Sequence, residues 1–225
     1  MTEDQDEYYG RPEASNSDLS MLAKYWQPFQ ISYDIEKAYR FGTLVDCMLT
    51  EPHRVDYYRF TCCDWQYTAE EFAQAEEMKK SFLRDELCRI LVQQSDLQKV
   101  TVRPKFRIVY AGLIFYLPMR MKADFNAKRI LKMLADLKTT TAKTTKEFIA
   151  MIKAFSYDRQ AAVYMDMEDC DQFMLIGISK SPPYQVFKVA IRRGDDLYLS
   201  GKAKYEELGF LYYTLFYHLE IKIAA

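Results

Sequence analysis

Two stretches of alternating polar and apolar residues, 99–110 and 113–124, face each other across Ala111-Gly112. Period-two alternation places successive side chains on opposite faces of a strand, and a short Gly-containing link between two such runs closes an antiparallel hairpin. A third strand is expected over 129–138, a helical stretch over 144–168, and further strands over 171–180 and 184–191. Ahead of the hairpin, Ser15-Asn-Ser17-Asp18 offers capping side chains for a helix beginning near Leu19. A second helical segment covers 34–50, interrupted at Gly42 and stopped before Pro52. Thr68-Ala-Glu-Glu71 reads as a capping box opening a long helix to about Gln94, with Phe72, Ala75, Met78, Phe82 and Leu83 on its buried stripe. A last helix is expected from about 200 to 222. Helices interleaved with strands, without a repeat or linker, predict a single α/β domain with a mixed sheet over 15–225, behind a flexible acidic tail over 1–14.

Composition sets bounds on function. The 225 residues are 49% hydrophobic, enough for one packed core, and the net charge of −1 argues against a generally basic nucleic-acid coat protein. That average conceals an uneven distribution: residues 1–18 carry six acids and only Arg11, whereas residues 120–159 carry ten Lys/Arg against four acids. A local excess of this kind suits a polyanion, although any one of these lysines can equally be a solvated surface charge. Five cysteines without Cys-x-x-Cys spacing predict reduced thiols and no disulfide framework. With no signal-like start and no run of about 18 apolar residues, a soluble, cytoplasmic protein without membrane contact is expected. No Gly-x-x-x-x-Gly-Lys-Ser/Thr run is present, which argues against ATP use.

Chemistry concentrates in Lys122-Ala-Asp124, Asp136-Leu-Lys138-Thr-Thr and Tyr157-Asp-Arg-Gln160-Ala-Ala-Val-Tyr164. Two aspartates near the same end of adjacent strands can share a hard divalent cation, and a lysine beside them can orient water or offset charge on a phosphate. Acid-x-Lys tripeptides alone are cheap. The chain has three, and Glu77-x-Lys79 and Glu220-x-Lys222 lie in helical patterns where surface charge explains them. Only Asp136-x-Lys138 ends a predicted strand, follows another strand-borne aspartate and precedes a helix; on that helix Tyr157, Gln160 and Tyr164 share one face. Lys143, Lys146 and Lys153 are candidate phosphate contacts, and Tyr57, Tyr58 or Trp65 could stack on an unwound base.

These motifs resemble those of the PD-(D/E)xK nuclease superfamily, and most closely the RecE-like, exodeoxyribonuclease VIII-like exonucleases of phages and prophages. The resemblance extends from about residue 15 to 220: Ser15-Asn-Ser-Asp-Leu-Ser-Met-Leu22 is similar to the family's opening helix, Gly42-Thr-Leu-Val-Asp46 to its Gly-Thr-Leu-Val-His helix, and Ser200-Gly-Lys-Ala-Lys-Tyr205 to its closing helix. It implies a restriction-endonuclease-like α/β core, a central mixed sheet flanked by helices. It further implies Asp124 and Asp136 as ligands of Mg²⁺ or Mn²⁺ together with the Leu137 backbone carbonyl, Lys138 as the catalytic lysine, and Gln160 and Tyr164 as a supporting motif beside the DNA strand. The implied activity is exonucleolytic hydrolysis from double-stranded DNA ends, exposing single strands for an annealing protein during recombination, by a homo-oligomer.

The sequence departs from the family at Asp46, where a metal-binding histidine is usual. Aspartate is a hard oxygen ligand and suits the same ions, so Asp46 reads either as a substituted ligand or as a mark of weakened activity. His53, beyond Pro52, and His218, on the aromatic last helix, are poor replacements. Some relatives bracket the core with four cysteines holding an iron–sulfur cluster; here only Cys170 follows the motifs, and no cluster is expected. Two alternatives stay open: a DNA-binding recombination module that has lost cutting, and a plain α/β domain whose aspartates cap turns.

Overall fold

The computed structural model describes residue 8, residues 10–26 and residues 35–217. The chain is tied to the sheet from Ala14, whose N–H donates to the Pro118 carbonyl at 2.9 Å and whose carbonyl accepts from Arg120 at 2.8 Å. Helix α1 (Asn16–Trp26) follows. Ser15 and Asp18 cap it reciprocally: each backbone N–H donates to the other's side-chain oxygen, at 2.8 and 3.3 Å.

Helix α2 (Ile35–Thr50) runs unbroken through Gly42. The expected interruption is absent because an isolated helical glycine costs only about 1 kcal/mol, while the helix buries Phe41, Leu44, Val45 and Met48. Pro52 opens a single 3₁₀ turn, Pro52–Arg54. Three two-residue strands then form a small antiparallel sheet that the sequence pattern did not suggest: β1 (Val55–Asp56), β2 (Thr61–Cys62) and β3 (Trp65–Gln66).

The capping box at Thr68 is present, but the long helix it opens is two helices, α3 (Ala69–Arg84) and α4 (Glu86–Gln94). Asp85 divides them. Its backbone is extended, and its carboxylate accepts from the Cys88 N–H at 3.2 Å, so it caps the second helix as it ends the first.

The hairpin is longer than its alternating pattern, β4 (Asp96–Tyr110) with β5 (Leu113–Asn126). Ala111 and Gly112 both have positive φ, 50° and 79°, the requirement of a tight two-residue hairpin turn. Residues 129–133 do not extend a third strand. The short helix α5 (Lys128–Leu131) occupies most of them, and β6 (Leu134–Thr140) begins only after Lys132 takes a left-handed conformation. Likewise 144–168 is two helices, α6 (Thr145–Ala154) and α7 (Tyr157–Glu168), parted by the left-handed Ser156. Strands β7 (Gln172–Ser179) and β8 (Val186–Arg192) complete the main sheet. Helix α8 (Asp196–Tyr212) starts four residues before the expected position and passes into a π turn, Tyr213–Tyr217. The end of the expected last helix, with His218, lies outside the described residues.

The sheet order is β4-β5-β6-β7-β8, with only the β6–β7 pair parallel. Strand β7 is covered on both faces, which explains its unbroken apolar run. Phe173 and Leu175 face a core shared with α1, α6, α7 and α8, and Met174, Ile176 and Ile178 face a second core with α2, α3 and α4. Gly177 is required where the Phe148 ring crosses, since a Cβ there would lie 2.7 Å from it. This is the mixed sheet between helical layers that the sequence implied.

Candidate active site

Strands β5 and β6 pair only at Phe125↔Ala135 and Asn126↔Leu134 and then part. A cleft of about 610 Å³ opens on this side of the sheet, walled by α2, α7 and the turn between β2 and β3. Leu134 belongs to the α7-side core and Ala135 and Leu137 to the other, so alternation turns Asp136 and Lys138 toward α7. There Gln160 donates from Nε2 to Asp136 Oδ1 at 2.6 Å. Asp136 is only 2% exposed, and its Oδ2 lies 2.5 Å from the Lys138 ammonium, a charge contact off the hydrogen-bonding direction. The ammonium also sits 4.9 Å from the centre of the Tyr157 ring. Burial works against its charge, but Asp136 and Asp124 outweigh burial and hold the lysine above its ordinary pKa.

Asp124 occupies a local fault in the hairpin. The ladder runs Leu97↔Phe125 and then Lys99↔Ala123, and Gln98 between them is left-handed at φ 49°. Met119, Met121 and Ala123 face the α7-side core whereas Phe125 faces the other, so the alternation of β5 changes phase at Asp124. Its Oδ2 accepts the Leu137 N–H at 2.8 Å, replacing the strand partner that β6 has just lost. An extended residue turns its N–H and C=O to the same edge, so the Leu137 carbonyl faces the same opening. Burial, then the charges of Asp136 and Asp46, push the Asp124 carboxyl well above the usual range.

Asp46 enters from α2. Gln98 Nε2 donates to its two oxygens at 3.3 and 3.1 Å, and Thr50 Oγ1 to Oδ1 at 3.2 Å. The carboxyl is partly open to the cleft yet densely surrounded; burial first and Asp136 second push its pKa up to about 6. Farther along the wall, Glu51 accepts a hydrogen bond from Arg54 at 3.1 Å and forms an ion pair with Lys122 at 3.5 Å.

Asp46, Asp124 and Asp136 are hard oxygen donors suited to Mg²⁺ or Mn²⁺. Asp136 Oδ2 is a buried acceptor without a hydrogen bond, and mutual repulsion of the acids is what a cation would relieve. The donor set therefore fits such an ion, although the three carboxylates do not all lie within 4.8 Å of one another as they stand.

The sequence of residues 13–210 matches the family described as a PDDEXK-like domain of unknown function (DUF3799). The chain belongs to this family. The matched span includes every wall of the cleft between β5 and β6 except Tyr8. Among solved structures, a candidate exonuclease from Eubacterium rectale is 16% identical, with a TM-score of 0.57 over 94% of this chain and 84% of that one, which establishes a shared fold. Lower similarity links the chain to a phage-related exonuclease from Haemophilus somnus, with 14% identity, a TM-score of 0.40, and 88% and 94% of the two chains covered. An alkaline exonuclease from Laribacter hongkongensis gives 14%, 0.39, 94% and 93%. A search of curated proteins gave no match.

Within this PDDEXK-like domain, Asp46, Asp124, Asp136, Lys138, Gln160 and Tyr164 line one cleft, from four elements distant in sequence. Tyr157 joins them through Lys138 and Leu137 through its backbone. Tyr164 is mostly internal, 5% exposed, with its ring edge-on to Phe173. Lys143, Lys146 and Lys153 are exposed on or just before α6 and do not line the cleft, nor do Tyr57, Tyr58 or His53; Trp65 does. Cys170 lies apart, its thiol directed to the Lys132 and Gln172 carbonyls. The wall residues Gln98, Glu51 and Arg54 carried no sequence signal, because each acquires its place from a partner or a backbone kink that no local pattern encodes. Among the described residues no helix is long and apolar enough to cross a membrane.

Proposed function

We propose that the protein is a metal-dependent deoxyribonuclease that hydrolyses phosphodiester bonds from the ends of double-stranded DNA. The observation that carries this reading is Asp136, joined at once to Gln160 and Lys138 and set beside Asp124 where β5 and β6 part. Asp124, Asp136 and the Leu137 carbonyl, with Asp46, would hold Mg²⁺ or Mn²⁺. Such an ion, when bound, supplies Lewis acidity to a phosphoryl oxygen and lowers the pKa of water.

The chain's own groups do the rest. Gln160 fixes Asp136 through Oδ1, so that Oδ2 is presented to Lys138 and the cleft. In the metal-free site Lys138 is held above its ordinary pKa by Asp136 and Asp124. As an ammonium it donates a hydrogen bond to the attacking water or a non-bridging oxygen and offsets charge as it develops. Tyr157 confines the ammonium by stacking beside it. Lys122 and Arg54, rather than the α6 lysines, stand on the cleft wall where a DNA backbone would pass. Release of a single strand to an annealing protein, and closure of several copies around the duplex, extend the proposal on the strength of the family resemblance.

A second reading, a DNA-binding module of the same fold without cutting, draws on Asp46, both of whose oxygens are already engaged by Gln98. Digestion of end-labelled linear duplex beside a covalently closed circle, with Mg²⁺, tests the pair. Loss of the linear substrate alone supports the end-dependent nuclease. Cutting of the circle would overturn the end requirement, and binding to both without cutting would support the second reading.

A further inference from the structure

Cys47, on α2, and Cys62 and Cys63, at the end of β2 and in the turn after it, bring three thiols together beside the cleft. The Cys63 sulfur lies 3.8 Å from that of Cys47 and 3.8 Å from that of Cys62, and all three sulfurs fall within 4.8 Å of one another. Adjacent residues of an ordinary strand point to opposite faces, so Cys62 and Cys63 could not both reach Cys47. The left-handed backbone of Cys63, φ 53°, turns its side chain back to the same point. Cys47 and Cys62 are buried, and Cys47 and Cys63 line the cleft.

We propose that this trio is a site for a thiophilic divalent cation, Zn²⁺ first, separate from the carboxylates. Zinc–thiolate bonds of about 2.3 Å place the sulfurs of a tetrahedral site about 3.8 Å apart, the spacing that Cys63 already has to both Cys47 and Cys62. Soft sulfur donors select this class of ion, whereas the Asp46, Asp124 and Asp136 oxygens select a hard one, so the two sites discriminate by ligand chemistry. Among the described residues no carboxylate or imidazole joins the group, so the cation has three protein ligands and a fourth position for water or a ligand entering by the cleft. On binding, each thiol gives its proton to solvent as its sulfur bonds to the metal. Binding also ties α2, which carries Asp46, to the β2–β3 turn. Loading therefore stiffens the wall that holds the Asp46 carboxylate.

The test uses the reduced, metal-free full chain and Co²⁺ as a spectroscopic probe. The expected result is near-ultraviolet sulfur-to-cobalt charge-transfer absorption that saturates at one equivalent, is bleached by Zn²⁺, persists in Asp124→Asn and disappears in Cys47→Ser and Cys63→Ser. Zinc should also raise the unfolding midpoint of the wild type by several degrees. Cobalt uptake without the charge-transfer band, or a band that survives both serine variants, would overturn the proposal. Should the serine variants not fold, alkylation of the wild type decides. Zinc protection of Cys47, Cys62 and Cys63 supports the site; protection of Cys88 and Cys170 instead, or none, overturns it. None of these readouts depends on DNA cleavage, so the site stands or falls apart from the nuclease activity.

Discussion

Asp46→Asn should make the metal-free protein more stable at pH 8, an unusual outcome for replacing a hydrogen-bonded residue of this kind. The Asp46 carboxyl is carried from its ordinary 3.8 to about 6, by burial and then by Asp136. At about 1.36 kcal/mol per pH unit, holding it ionised at pH 8 costs the folded state about 3 kcal/mol. Because the folded value is raised, the native protein binds more protons than the unfolded chain between those two values. Stability on this account therefore falls as pH rises through that window, and the penalty at pH 5 is roughly half its pH 8 value. Asparagine keeps one acceptor for Gln98 and Thr50 in place of two, which returns on the order of 1 kcal/mol of the gain. The net expectation is about 2 kcal/mol at pH 8, or roughly 4–8 °C in Tm for a chain of this size. Thermal unfolding of both proteins in EDTA at pH 5 and pH 8 measures it, and a repeat at pH 8 with saturating Mg²⁺ should narrow the gap, since the cation stabilises the wild type more. An Asn variant less stable than wild type in EDTA at pH 8, or a gap unchanged between the two pH values, would refute the account of these acids as a repelling cluster.

Other substitutions probe separate links. Gln160→Ala removes the 2.6 Å bond to Asp136 and should lower turnover on duplex DNA by about 10–100-fold with little change in fold, measured by steady-state digestion beside circular dichroism. An unchanged rate would leave Gln160 a packing residue. Asp46→His introduces the residue that the resemblance to RecE-like exonucleases implies at this position and should lower the Mg²⁺ concentration needed for half-maximal cleavage, whereas an unaltered requirement would make position 46 a bystander. Gly201→Ala would place a Cβ 2.1 Å from the Asp158 carbonyl oxygen where α8 crosses α7, and should cost at least about 3 kcal/mol in urea unfolding. A loss below 1 kcal/mol would show that the helices slide apart at no great cost.

Much of this architecture could be read before any coordinates. The hairpin, the strands around Phe173 and Val189, the capping side chains at Ser15–Asp18 and the capping box at Thr68 rest on local periodicity and local hydrogen bonds, and those are present in the linear pattern, although the first helix starts at Asn16 rather than near Leu19. The misreadings share a cause. Asp85, Lys132 and Ser156 divide or redirect segments whose apolar spacing looks continuous, because one residue's backbone angles outweigh the pattern around it. The phase change at Asp124 is also invisible in sequence, since it depends on Gln98 adopting a left-handed conformation across the hairpin. Of the site, the acids, lysine and glutamine were legible as an ordered motif. The engagement of Asp46 by Gln98, 52 residues away, and the meeting of Cys47 with Cys62 and Cys63 are products of tertiary packing alone.

The most direct measurement is digestion of linear duplex DNA by wild type and Lys138→Ala, each with Mg²⁺ and with EDTA. The account predicts loss of DNA only for the wild type with Mg²⁺, with the variant folded and still able to bind DNA. Undiminished cleavage by Lys138→Ala, or cleavage by the wild type in EDTA, would contradict it.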